Sequence, residues 1–137
     1  MTTTWLLDTG PLVAVLDRTD RDHQWADQEW RGATFPLWTC EAVLTEACYL
    51  LRGQPAALPA IGRLLVTGAV HSVPVLDTDA AAVFDLMRRY RNVPMSLADA
   101  CLVRLAERRP DSVVFTLDSA FLVYRRAGGQ PLAVTLP

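Results

Sequence analysis

The segment TWLLDTGPLVAVLD, residues 4–17, joins a short apolar run to a carboxylate and then to a helix-forming stretch. The run at 4–8 predicts a buried strand that Gly10 and Pro11 close, because Gly tolerates a turn and Pro suits the first turn of a helix. Asp8 is therefore expected at the carboxyl end of this strand. Ligands of open α/β sheets bind in the crevice outside such ends. The sequence thus raises the question of whether other carboxylates converge there.

The rest of the chain repeats this order of strand and helix. Strands are predicted at 4–8, 34–39, 69–76, 112–117 and 132–136. Helical periodicity or composition predicts helices at 11–17, 22–31, 40–52, 56–67, 79–91, 97–109 and 119–126. The stretch RGQPAALPAIG leaves a loop and a helix start equally open, because it contains Gly53, Pro55 and Pro59. The alternation predicts an α/β fold whose mostly parallel sheet is covered by helices on both faces.

Length and composition indicate one ordered domain spanning residues 1–137. A chain of this size buries roughly 68% of its unfolded surface, and its 51% hydrophobic and 20% charged residues place it outside the disordered class. The formal net charge of -2 provides no global basic field, so a nucleic acid would have to be held by a local patch. All 13 cationic residues are arginine, which excludes a P-loop lysine and a Schiff-base lysine.

Signals for export, membrane insertion and disulfide bonding are lacking in the sequence. No stretch reaches the roughly 18 apolar residues of a membrane span, and no basic region precedes the first apolar run. Cys40, Cys48 and Cys101 lack CxxC spacing and fall in helix-like segments, which favours buried thiols over metal ligands or disulfides. These features predict a soluble, cytoplasmic protein that does not bind a membrane.

Four acids lie at or near the ends of predicted elements. Asp118 ends the run SVVFTLD in the way that Asp8 ends the first run. Asp99 lies in the first turn of a helix expected to begin at Ser96, and this pair is close to a capping box. Glu46 lies within the helical stretch CEAVLTEACYLLRG. Both helices would have to lean over the carboxyl edge of the sheet for the four acids to meet.

Each acid also has an ordinary structural interpretation. Asp8 and Asp118 are suited to capping the helices that follow them. Glu46 is open to interpretation as a solvated residue, because it falls about 120° from the centre of its helix's apolar stripe. Glu41 lies about as far out on the other side. The helical wheel therefore does not choose between the two glutamates.

The absence of other ligand types narrows the chemistry. A zinc site needs Cys and His at close spacing, whereas His23 and His71 are far apart, and no G-x-S-x-G nucleophile motif is present. Converging carboxylates without imidazole or thiolate suit a hard octahedral cation such as Mg²⁺ or Mn²⁺. Without a cation, two carboxylates 4 Å apart would repel by about 4 kcal/mol at an effective dielectric constant near 20. Some of the acids would then bind protons.

These residues resemble the PIN domain, in particular the compact VapC-type toxins of bacterial toxin-antitoxin pairs. The resemblance spans essentially the whole chain as a single PIN domain at 1–137, and rests on LLDTGPLVAVLD, VLTEACYLL, RYRNVPMSLADACLVRLAE and VVFTLDSAF. The order and spacing of these pieces are more specific than any one of them, and SLADA and TLDSAF are the most specific. The resemblance implies a three-layer α/β/α sandwich with a mostly parallel sheet of four or five strands.

The resemblance assigns the family's acids to Asp8, Glu46, Asp99 and Asp118. It therefore selects Glu46 over Glu41. It implies that the four acids are catalytic and hold one or two Mg²⁺ ions, with Mn²⁺ as a substitute. Asp8 and Asp99 are the strongest ligands, and the other two bind directly or orient metal-bound waters. Thr116 matches a polar position of the family's final motif.

The activity implied is a Mg²⁺-dependent endoribonuclease that acts as a toxin and cleaves cellular RNA through a metal-activated water. The partners implied are an RNA substrate, a small cognate antitoxin and a second copy in a homodimer, with the apolar segment 56–70 as a surface for one of the proteins.

The alternative is a catalytically degenerate PIN-fold module that binds RNA or protein. A phosphatase of the haloacid-dehalogenase type is disfavoured, because Gly10 stands where that family has a second Asp.

Arginines and aromatic residues provide further candidates for contact with RNA. The stretches 87–91, 107–109 and 124–126 are rich in arginine and suited to phosphate contacts, with Tyr90 or Tyr124 as a stacking face. A solvated helical face is the alternative interpretation. The four tryptophans are expected to be core or interface anchors: Trp5, Trp25, Trp30 and Trp38.

Overall fold

The structure, a computed structural model, describes residues 2–137. A five-stranded sheet in the order β3-β2-β1-β4-β5 has every pair of neighbouring strands parallel. The strands are β1 (Thr4–Leu7), β2 (Leu37–Thr39), β3 (Val70–Ser72), β4 (Ser112–Phe115) and β5 (Val134–Thr135). The helices are α1 (Thr9–Leu16), α2 (His23–Gly32), α3 (Glu41–Leu50), α4 (Ala57–Val66), α5 (Leu76–Arg89) and α6 (Leu97–Arg108), and a 3₁₀ turn spans Ser119–Leu122.

The central strand β1 determines which helices cover each face of the sheet. Leu6 of β1 pairs with Val114 of β4, and both face a core built largely from α5 and α6. Leu7 pairs with Phe115, and both face a core formed with α1 and α4. Because successive side chains of a strand point to opposite faces, one apolar run covers both cores. The predicted three-layer α/β/α sandwich with a parallel sheet is confirmed.

Burial of the strand residues stabilises this arrangement. Leu6, Leu7 and Phe115 have no exposed surface, and full burial of such a side chain contributes about 1.5–3 kcal/mol. The rings of Trp5 and Trp25 each lie 5.6 Å from the ring of Phe115 in edge-to-face geometry. These two tryptophans are core anchors, as the sequence predicts.

Proline shortens two of the predicted strands. β2 begins at Leu37, although the prediction begins at 34, and β3 ends at Ser72, although the prediction extends to 76. Pro36 and Pro74 stand at these limits, and proline has no N–H to donate to a ladder. α5 begins at Leu76, earlier than the predicted start at 79, and it is kinked at Asp79, whose backbone is not helical.

One segment that the sequence left open forms a helix, and two predicted elements are shorter than expected. The open stretch after Gly53 forms a helix, α4, over Ala57–Val66. The predicted helix at 119–126 is only the 3₁₀ turn Ser119–Leu122, and the predicted strand at 132–136 is only Val134–Thr135.

The described residues also bear on the cysteines and the membrane. Cys40 and Cys101 are buried and Cys48 is half-buried, and all three thiols are free. Within residues 2–137, none of the helices has the length and apolar character needed to cross a bilayer.

Candidate active site

An open cleft of about 540 Å³ lies at the carboxyl edge of the sheet, beyond the ends of β1 and β4. All four acids predicted for the site line this cleft: Asp8, Glu46, Asp99 and Asp118. None of the arginines within residues 2–137 lines it. The cleft therefore gathers carboxylates without a cationic side chain among them.

Asp8 is the most deeply placed of the four acids, with 7% of its surface exposed. It is the N-cap of α1, and its Oδ1 accepts a hydrogen bond of 2.8 Å from the backbone N–H of Thr9. Its Oδ2 accepts a hydrogen bond of 2.6 Å from the hydroxyl of Thr116. Burial raises the pKa of Asp8 to about 6, and the charges of Asp99 and Asp118 also raise it, while the hydrogen bonds from Thr116 and Thr9 lower it. Asp8 is thus both a cap and a cleft residue.

Thr116 connects two of the acids. Its hydroxyl oxygen accepts a hydrogen bond of 2.9 Å from the backbone N–H of Asp118, while the same hydroxyl donates to Asp8. The side chain of Asp118 caps the 3₁₀ turn, because its Oδ1 accepts from the N–H of Ala120 at 2.9 Å. The bond to Asp8 therefore joins the end of β1 to the end of β4, and the bond from Asp118 shapes the turn that follows β4.

The structure separates the two glutamates of α3 that the helical wheel leaves equivalent. Oε2 of Glu46 accepts a hydrogen bond of 3.0 Å from the hydroxyl of Thr9 and so joins the cleft. Glu41 instead lines a separate cavity beside Cys40 and Asp77. The sequence reasoning did not identify Thr9, although its position next to Asp8 is a usable signal.

Asp99 enters the cleft from the first turn of α6. Ser96 caps this helix, because its hydroxyl accepts from the N–H of Asp99 at 3.0 Å. Oδ2 of Asp99 accepts a hydrogen bond of 2.8 Å from the hydroxyl of Tyr124. Burial is the largest cause that raises the pKa of Asp99, the charge of Asp118 adds to it, and the hydrogen bonds from Tyr124 and Ser96 oppose it. The sequence reasoning treated Tyr124 only as a stacking face for RNA.

The other polar residues singled out from the sequence lie away from the cleft. Nδ1 of His23 lies 2.7 Å from the carbonyl oxygen of Ala14, and the ring of His71 packs beside Trp38. The arginine stretches are partly engaged elsewhere in ion pairs and backbone contacts: Arg88 and Arg89 with Asp85, Arg108 with Asp79, and Arg125 and Arg126 with backbone carbonyls.

The donor chemistry of the cleft fits a hydrated divalent cation. All the charged donors are carboxylate oxygens, and no arginine of residues 2–137 lines the cleft beside them. As the side chains stand in residues 2–137, no group of three or more His, Cys, Asp or Glu residues could hold an ion. Carboxylate oxygens are nevertheless the donors that hard divalent cations such as Mg²⁺ take in proteins, usually together with several waters.

Comparison with known proteins agrees with the architecture. A family model described as PIN domain matches residues 5–127, a range that includes all four acids. The crystal structure of Mycobacterium tuberculosis VapC20, described as a sarcin-ricin loop cleaving toxin, is similar with a TM-score of 0.74. The two sequences are 18% identical, and the match covers 85% of this chain and 91% of that chain. No curated protein matches this chain with significance. On the family match, this chain belongs to the PIN domain family.

Proposed function

We propose that this protein is a Mg²⁺-dependent endoribonuclease and the toxin of a VapC-type toxin-antitoxin pair, organised as one PIN domain over residues 1–137. The observation that carries the proposal is the convergence of four carboxylates in one cleft that no arginine of residues 2–137 lines. Family membership supports it, and so does the structural similarity to VapC20, which is described as a sarcin-ricin loop cleaving toxin.

The proposed roles follow from how the carboxylates are held. Asp8 and Asp99 would hold the cation, with Mn²⁺ as a substitute for Mg²⁺, because they are the two less exposed acids of the cleft and each accepts a hydrogen bond from a side-chain hydroxyl. Glu46 and Asp118, which are exposed, would orient the waters around it. When bound, the ion supplies Lewis acidity and lowers the pKa of a water that can attack the phosphodiester.

The negative charge of the cleft explains why the protein's own residues would cleave RNA only when a cation is bound. The four carboxylates would repel an RNA phosphate that approaches the cleft. Glu46 and Asp118 lie at the more exposed side of the cleft, where a water molecule can reach them. In the proposed reaction their carboxylates accept a proton from such a water as it attacks. Asp8, held in the buried part by Thr9 and Thr116, keeps its orientation during this step.

The protein partners proposed are a small cognate antitoxin and a second copy of the chain, both in the cytoplasm. Two large apolar side chains, Leu58 and Val66, are exposed on α4, which lies within the segment 56–70 predicted for a partner. Tyr49 and Leu50 are also exposed, on α3 and outside that segment. Co-expression with the adjacent open reading frame is expected to rescue growth and to yield a stable complex. A monomer in solution with no such reading frame would contradict this part of the proposal.

The experiment that tests the activity is incubation of purified protein with labelled total RNA. Cleavage is expected with Mg²⁺ and not with EDTA, and the Asp99→Asn variant is expected to be inactive. Cleavage that persists in EDTA, or in both Asp8→Asn and Asp99→Asn, would contradict the proposal. RNA binding without cleavage would instead support the degenerate binding module.

A further inference from the structure

A buried tyrosine lies directly behind one of the cleft acids. Tyr124 follows the 3₁₀ turn, has no exposed surface, and is not among the residues that line the cleft. Its hydroxyl donates a hydrogen bond of 2.8 Å to Oδ2 of Asp99. The tyrosine therefore reaches the site only through this carboxylate.

The ring of Tyr124 is held by aromatic contacts that do not involve Asp99. The ring of Tyr90 lies 5.1 Å from it and the ring of Phe121 lies 5.2 Å from it, both in edge-to-face geometry. The hydroxyl of Tyr90 accepts a hydrogen bond of 2.8 Å from the backbone N–H of Arg125, and this bond involves neither the hydroxyl of Tyr124 nor Asp99. Packing thus sets the position of the phenol hydroxyl, and the Asp99 carboxylate accepts a hydrogen bond from it there.

The hydrogen bond has a consequence for the carboxylate. Asp8 is oriented by two donors, the N–H of Thr9 and the hydroxyl of Thr116. Tyr124 plays the corresponding part for Asp99, because it fixes one oxygen and with it the rotation of the carboxylate plane. A ligand fixed in this way loses less conformational freedom when it binds an ion, and removing such a partner commonly weakens metal affinity about 10–100-fold.

We propose that Tyr124 is a positioning residue that holds the Asp99 carboxylate in the orientation in which it binds a divalent cation. The proposal rests on the metal-dependent activity proposed above. Tyr124 contacts neither the RNA nor the ion, and acts only through Asp99.

The test is the affinity of the RNA-free protein for Mn²⁺, measured by isothermal titration calorimetry. Tyr124→Phe keeps the ring and removes the donor, and it is expected to weaken Mn²⁺ binding about tenfold. The matched control is Tyr90→Phe, which removes the neighbouring hydroxyl and its bond to Arg125 but does not touch Asp99. This control is expected to bind Mn²⁺ as the wild type does. A second readout is cleavage, where Tyr124→Phe should need more Mg²⁺ for half-maximal rate while its KM for RNA at saturating Mg²⁺ stays unchanged.

The outcomes separate this proposal from the proposed function. Equal Mn²⁺ affinity in wild type and Tyr124→Phe overturns the positioning role and leaves RNA cleavage by the wild type intact. Equal weakening in Tyr90→Phe, or a Tyr124→Phe chain that does not fold, also overturns it, because the hydroxyl would then serve the fold. A wild type that binds Mn²⁺ but does not cut RNA overturns the ribonuclease while the effect of Tyr124→Phe on Mn²⁺ still decides the positioning role. A wild type that does not bind Mn²⁺ overturns both.

Discussion

The hydroxyl of Thr116 donates a hydrogen bond of 2.6 Å to Oδ2 of Asp8, across 108 positions of sequence. The bond joins the carboxyl ends of two neighbouring parallel strands at the point where the acids gather. It also shows that capping and site roles are compatible, because the same carboxylate caps α1 through its other oxygen.

The metal-free protein should lose stability as pH rises through the titration of Asp8. Its pKa is raised to about 6 in the folded state, so the folded chain binds the proton more tightly than the unfolded chain. The free energy of unfolding should therefore fall between about pH 4 and pH 6, by ~3 kcal/mol for this residue. Urea unfolding in EDTA of wild type and Asp8→Asn measures it. The difference between the two proteins should change with pH in this window, and a pH-independent difference would contradict the assignment.

Removal of the Thr116 hydroxyl should damage both the fold and the site. Thr116→Val leaves Oδ2 of the buried Asp8 carboxylate without its donor and the N–H of Asp118 without an acceptor, at a cost of about 1–3 kcal/mol. Thr39→Val is the matched control, because Thr39 is equally buried but donates only to the carbonyl of Leu7. Urea unfolding and RNA cleavage of both variants check this. Cleavage should fall in Thr116→Val alone, and an equal fall in both variants would assign the effect to general destabilisation.

The two glutamates of α3 provide a matched pair for activity. Glu46→Gln keeps the shape of a cleft residue but removes its charge, so cleavage should fall by about 10²-fold or more. Glu41→Gln makes the same change in a separate cavity and should leave the rate unchanged. Initial rates on a labelled RNA at fixed Mg²⁺ measure both. Equal rates for the two variants would remove Glu46 from the site.

Added Mg²⁺ should raise the Tm of the wild-type protein, because an ion that binds only the folded state stabilises it. At 100 times the Kd the gain is about 2.7 kcal/mol. Asp8→Asn and Asp99→Asn should show a smaller shift, since each loses one of the two proposed direct ligands. Thermal melts with and without Mg²⁺, with NaCl at matched ionic strength as the control, check this. Equal Mg²⁺-induced shifts in all three proteins would exclude both residues as ligands.

Several features of this protein follow from local sequence alone. The strand-helix alternation predicts a parallel sheet, and an acid directly after each of two apolar runs places Asp8 and Asp118 at one edge of it. Carboxyl ends of parallel strands meet at a common edge whatever the details of packing. The family resemblance then identified Glu46 and Asp99, which the structure places in the same cleft.

Other features were decided only by the tertiary structure. Glu41 and Glu46 lie about equally far from the apolar stripe on the helical wheel, so the wheel does not distinguish them. Only the packing of α3 against α1 brings Thr9 to Glu46, 37 positions away in sequence. The burial of Tyr124 behind Asp99 depends on where α5 ends and on the rings that surround it. Local patterns specify which residues form a helix or a strand and which face is apolar. They do not specify how far a helix leans over the sheet, and that lean decides which side chains touch.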